Sequence, residues 1–159
     1  MRFIGSALVA SAIVLGACGG GGEKTPAAEN AAPAAAPATA GTAAPITGAT
    51  IEVKMYGDEK GYRFEPNAIT LKAGDGIKFT FVNGGPHNVA FNPADIPADV
   101  KGQLDANMGP EKLGELSSKM TMQPGESVTI SFANIKPGTY PFHCTPHLAM
   151  NMKGTVTVQ

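Results

Sequence analysis

The chain has no tryptophan, only three histidines and only two cysteines among its 159 residues. Charge is sparse and balanced. Twelve Lys and Arg against thirteen Asp and Glu leave a formal charge of -1, and no basic run gathers anywhere, which argues against nucleic acid as a partner. The one long apolar run, Phe3 to Leu15, is too short to cross a bilayer as a mature helix. From Gly19 until Ile46 there is no large apolar residue at all, so that stretch has nothing with which to build a core. The two cysteines stand in contexts too different for a simple disulfide: Cys18 closes the apolar run, and Cys144 lies between two histidines. Internal repeats are absent too. What the chain has in quantity is turn chemistry, twenty Gly and thirteen Pro, which favours a turn-rich β protein over a helical bundle.

The N-terminus reads as an address. Arg2 precedes the apolar run, as in a secretory signal, and the run closes on Leu15-Gly16-Ala17-Cys18, which resembles the lipobox of bacterial lipoproteins. The resemblance implies that residues 1–17 are removed and that Cys18 carries lipid on its sulfur and its new amino group. Two or more acyl chains anchor a protein stably, so the rest of the chain would be tethered to a membrane, facing the periplasm or the cell exterior. Residues 18–48, rich in Ala, Pro and Gly, are then a disordered tether with a reach of roughly 30 Å.

Residues 49–159 carry a different pattern. Ile51, Val53 and Met55 alternate with polar residues, as do Ile69 and Leu71, then Ile77, Phe79 and Phe81. Val128, Ile130 and Phe132 repeat it, followed by Tyr140, Phe142 and Cys144, and finally Val156 and Val158. Period-2 alternation marks strands with one buried face. Turns separate them at Ala73-Gly74-Asp75-Gly76, Pro124-Gly125-Glu126 and Pro137-Gly138-Thr139. The expected architecture is all-β: a Greek-key β-sandwich of about seven to eight strands. Residues 97–116 break the alternation, with Val100, Leu104, Met108, Leu113 and Leu116 at loosely helical spacing and Gly109-Pro110 interrupting. They predict one or two short helices in a long crossover, outside the core.

Chemistry concentrates in Tyr140 to Val158. A thiol at Cys144 is followed three residues later by His147, and thioethers come at Met150 and Met152; His87 lies upstream in Gly85-Pro86-His87-Asn88. Two imidazoles, a thiolate and a weak thioether are the donors of electron-transfer copper: soft sulfur suits Cu(I), while imidazole serves both oxidation states. A closed zinc site would need His143 as fourth ligand, yet His143 and Cys144 are neighbours on a strand and should point to opposite faces. A hydrolytic Cys–His pair lacks a third orienting group.

These segments resemble plastocyanin, and secondarily amicyanin, over about residues 50 to 159, so the sandwich is expected to be a cupredoxin. The likeness rests on Phe64-Glu65-Pro66, Leu71-Lys72-Ala73-Gly74-Asp75, Pro86-His87-Asn88-Val89, Pro124-Gly125-Glu126, Gly138-Thr139-Tyr140, Cys144-Thr145-Pro146-His147 and Met152-Lys153-Gly154. It implies one type 1 copper ion held by His87, Cys144, His147 and an axial methionine, working in electron transfer. Plastocyanin-like loop spacing selects Met152; the shorter amicyanin-like loop would select Met150. Asn88 is implied to tie the His87 segment to the Cys144 loop and to tune the thiolate. His143 stands where plastocyanin usually has tyrosine and amicyanin-like chains have histidine; it is either a surface route for electrons or a solvated side chain. Leu148 joins an apolar ring around His147, to receive a partner or to shield the metal.

The implied role is a monomeric carrier rather than an enzyme, exchanging electrons with redox proteins such as a c-type cytochrome or a membrane oxidoreductase complex. Copper nitrite reductases ligate a second, catalytic copper through a His directly before the copper-binding Cys. That chemistry needs further histidines, and only His143 is left here. A copper chaperone would expose exchangeable thiols, whereas Cys144 is a single thiol in a turn between strands.

Overall fold

The computed structural model describes residues 42–159; the expected signal sequence, Cys18 and most of the expected tether lie outside the described residues. In chain order the elements are β1 (Thr50–Asp58), β2 (Gly61–Glu65), β3 (Ala68–Leu71), β4 (Gly76–Phe81), α1 (Ala98–Asn107), β5 (Ser127–Ser131), β6 (Gly138–His143) and β7 (Lys153–Val158). The strands form two sheets, one in the order β2-β1-β4-β5 and the other β3-β7-β6. β1 pairs with β4, and β3 with β7, in parallel; the remaining ladders are antiparallel. The chain changes sheet after β2, β3 and β5, which is how strands near in sequence come to lie on opposite layers.

The alternating residues read from the sequence are the ones that meet between the sheets. Val53, Met55, Ile69, Leu71, Ile77, Phe79, Phe81 and their counterparts on β5 to β7 are all buried, and Ile51 is partly so. Phe64, Phe79 and Phe142 pack edge to face with centroids 4.8 to 5.9 Å apart. Burying each such side chain stabilises the fold by about 1.5–3 kcal/mol. Tyr140, also buried, donates its hydroxyl to the Lys136 carbonyl at 2.7 Å and corners the sandwich.

Three expectations change. The crossover between β4 and β5 holds a single helix among the described residues, and it belongs to the core: Val100 and Leu104, one turn apart, are both buried. The helical spacing does not continue beyond it. Gly109 takes φ 87°, Pro110 cannot extend the turn, Leu113 is 60% exposed, and Leu116 reaches the core from a non-helical residue with φ 53°. Second, β2 carries no period-2 signal, because Gly-Tyr-Arg-Phe-Glu is short and only Phe64 is buried. Third, the stretch assigned to the tether ends in a docked segment. Ala44 N donates to Asn107 Oδ1 at 2.8 Å, Gln103 Nε2 to the Thr42 carbonyl at 3.1 Å, and Thr47 N to the Gly74 carbonyl at 3.0 Å. A polar, alanine-rich segment leaves no hydropathy signal when it is held by hydrogen bonds.

Candidate metal centre

Two loops at one end of the sandwich build the centre. After β4 the chain turns through Gly84 and Gly85, both at positive φ, and runs out along Pro86 to Ala90. That run is fixed on both edges. His87 exchanges backbone bonds with Thr121 at 3.1 and 2.8 Å, and Ala90 exchanges them with His143 at 2.9 and 2.8 Å. The run that carries His87 is thereby held against the end of β6 through Ala90. The β6–β7 loop then folds back on itself. His147 N donates to the Cys144 carbonyl, Leu148–Met150 make one turn of 3₁₀ helix, Met152 N donates to the His147 carbonyl, and Cys144 N donates to the Met152 carbonyl at 3.0 Å.

His87, Cys144 and His147 come together, with one ligand atom from each within 4.8 Å of the others. Cys144 Sγ lies 3.4 Å from His147 Nδ1 and 3.7 Å from His87 Nδ1. Donors about 2.0–2.3 Å from one shared ion stand roughly 3.5 Å apart when they surround it, so the spacing fits a single metal. His87 donates its Nε2–H to the Asn83 carbonyl at 2.9 Å, which leaves the Nδ1 lone pair facing the thiol. Met152 is fully buried with these three, whereas Met150 is 49% exposed in the 3₁₀ turn.

Burial sets the protonation states. Loss of water pushes His87 below the usual histidine range against the opposing bond to Asn83, and pushes His147 down with help from the like charge of His87. The same desolvation pushes the Cys144 thiol up, with backbone N–H groups of Asn88 and His147 pulling the other way. Two neutral imidazoles and a thiol whose proton a cation would displace make a metal-ready set.

Around the three lie residues of unequal legibility. Asn88, fully buried, accepts Thr145 N–H at 2.8 Å and donates to Thr145 Oγ1 and Ser117 Oγ, both at 3.1 Å. It joins the His87 run to the Cys144 loop and to the crossover. His143 is not part of the cluster. Half-buried on the opposite face of β6, it lines an open cleft of about 1080 Å³ with Asp95, Glu115 and Lys153. Burial and then Lys153 hold its pKa down, with Asp95 opposing. Leu148 is 42% exposed at the rim.

Tyr62 was missed altogether. Its ring stacks on His147 with centroids 3.9 Å apart and planes 20° from parallel. Tyr62 on β2 pairs with Gly57 on β1, and its ring lies across that glycine; a Cβ at 57 would sit 2.5 Å from Tyr62 Cε1. The available signal was a glycine opposite an aromatic across a hairpin, which is invisible until the register is known.

The family of copper binding proteins, plastocyanin/azurin family, matches residues 51–159. Plastocyanin from Prochlorothrix hollandica is 35% identical over 118 residues, covering 74% of this chain and 79% of that protein. Plastocyanin from Dryopteris crassirhizoma is 38% identical over 104 residues, covering 65% of this chain and 95% of that protein. Among solved structures, a mutant plastocyanin of fern, determined oxidised and reduced, superposes with a TM-score of 0.53 at 38% identity, over 68% of this chain and 99% of the fern chain.

Proposed function

The chain belongs to the plastocyanin/azurin family of copper binding proteins, which carry electrons, and from that premise we propose that His87, Cys144, His147 and Met152 hold its one copper ion. The observation that carries the assignment is the buried trio of His87, Cys144 and His147, one ligand atom from each within 4.8 Å of the others and Cys144 Sγ facing both Nδ1 atoms. When bound, copper supplies a one-electron couple between Cu(I) and Cu(II). Everything else is the work of the chain. Cys144 would give the strong donor and the imidazoles would serve both oxidation states; Met152, buried beside them, would add a weak thioether, and exposed Met150 would not. Asn88 fixes the two ligand segments against each other, so little rearranges when the charge changes.

The role is that of a carrier and not an enzyme. With His87 and His147 used, His143 is the one histidine left in the sequence, and it lies away from the trio, too few groups for a second, catalytic copper. The exported chain is anchored through lipid on Cys18 after removal of residues 1–17, and the tether ahead of the docked residues 42–47 lets the domain turn between partners as a monomer at the outer face of a membrane. A c-type cytochrome or a membrane oxidoreductase complex meets it at the His147 rim, where Leu148 and Met150 are exposed.

Visible and electron paramagnetic resonance spectra of the copper-loaded protein, beside Cys144→Ser, test the site. The wild type should be intensely blue as Cu(II), and the serine variant should fold without the colour. A colourless wild-type Cu(II) form, or a blue serine variant, would overturn the ligand set.

A further inference from the structure

The two histidines of the centre are held in different ways. The ring of His87 is pinned at its outer nitrogen by the Asn83 carbonyl and flanked edge-on by Phe81, with centroids 4.9 Å apart. His147 sits in a short loop at the rim, and over its ring lies Tyr62, in near-parallel contact at 3.9 Å. Tyr62 also meets the His87 ring edge-on at 6.2 Å. We propose that Tyr62 is the positioning residue for His147, its ring holding the imidazole in the ligating orientation whether or not metal is bound. The proposal rests on the reading of His147 as a ligand.

The chemistry is that of an aromatic pair with one member, His147, on the short loop between β6 and β7. Rotation of His147 about its side-chain torsions would slide the imidazole out from under the phenol ring, forfeiting the stacking and baring an apolar face to water. The other face of Tyr62 cannot retreat, because the ring rests on Gly57, itself in close contact with Gly84. A ring that keeps one orientation in both oxidation states lowers the rearrangement that accompanies each electron. The hydroxyl has no part in this; stacking needs only the ring.

Tyr62→Leu and Tyr62→Phe separate the possibilities, with thermal unfolding as the check that both fold; Tyr62→Met repeats the loss of the ring should the leucine variant fail to fold. In Tyr62→Leu, Cu(I) affinity should fall by about tenfold, the upper worth of such a pair. Electron self-exchange should slow, and the His147 ring proton resonances of the copper-free protein should broaden and lose their upfield shift. Tyr62→Phe should restore all three. Unchanged affinity and unchanged His147 resonances in the leucine variant would overturn the proposal, as would a phenylalanine variant that behaves like leucine. If instead the wild-type His147 resonances do not move when Cu(I) is added, it is the ligand reading of His147 that fails.

Discussion

Asn88 and Thr145, 57 residues apart in sequence, are joined by two hydrogen bonds, one in each direction between the two ligand-bearing segments. Thr145 follows Cys144 directly, so this pair sets the position of the thiol relative to His87. Asn88→Ala would leave the Thr145 N–H without its partner in a part-buried place and strip Ser117 of a donor. Losses of that kind cost about 1–3 kcal/mol. Denaturant unfolding of the copper-free protein should show a drop of about 2 kcal/mol, and the copper-loaded spectrum should broaden as the loop loosens. A variant within about 0.5 kcal/mol of wild type, the usual range for surface changes, would reduce Asn88 to a turn residue.

The two methionines of the loop make opposite forecasts. Met152 is fully buried and bonded through its backbone to both Cys144 and His147; Met150 is half-exposed. A weak axial thioether stabilises Cu(II) more than Cu(I), so Met152→Leu should keep copper and colour and raise the reduction potential. Met150→Leu should leave the potential where it was. Protein-film voltammetry of both variants decides, and a reversal would give the axial place to Met150.

Much of this is legible in the sequence, for a physical reason that also marks the limit. Strands such as Ile77 to Phe81 announce themselves because one face is wholly buried, and the period of two survives in the sequence. The spacing from Cys144 to His147 and Met152 is local, set by one tight loop. Tyr62 was illegible because its partner is chosen by strand register: Gly57 and Tyr62 face each other only after β1 and β2 pair, and His147 arrives from another sheet. The docking of residues 42–47 was illegible because it uses backbone groups, which every sequence has. Leu113 and Leu116 misled because an apolar residue can reach the core, or miss it, from a loop that happens to keep helical spacing.

Asp75 gives a prediction in pH. Its carboxylate accepts N–H bonds from Lys72 and Ala49, at 2.9 and 2.8 Å, and these backbone donors hold its pKa below the ordinary 3.8. A folded-state pKa below the unfolded one stabilises the protein at neutral pH, and the stabilisation is lost as pH falls through the depressed value. Asp75→Asn should therefore melt lower than wild type at neutral pH, and the two melting curves should converge in acid. Parallel melting temperatures across that range would show that the bonds hold the Ala73-Gly74 turn without contributing pH-dependent stability.

Anchoring through Cys18 can be tested apart from the copper site. Cys18→Ser removes the sulfur that the lipobox resemblance marks for lipid. The variant should move from the membrane fraction to the soluble one, with the copper spectrum unchanged because the ligands lie between residues 87 and 152. Retention in the membrane would mean that some other feature holds the chain there.

The rim around His147 is the surface on which a partner's cofactor would come nearest the metal. His147 is 6% exposed, and beside it Leu148 and Met150 are exposed, with Pro146, Pro86 and Gly85 open around the same edge. An apolar collar suits a transient encounter, since it excludes water around the ring without the slow release of buried ion pairs. A net charge of -1 gives little long-range steering, so association should vary only modestly with salt. Leu148→Glu places a charge in the collar without touching a ligand. Electron exchange with a cytochrome partner should slow by at least about tenfold, roughly 1.4 kcal/mol in the barrier, while the colour and the potential hold. If Leu148 instead serves to keep water from the copper, the spectrum would change first and the exchange rate would follow it. Stopped-flow exchange and the visible spectrum, measured on the same variant, separate these roles, and unchanged exchange with an intact spectrum would remove this face from the mechanism.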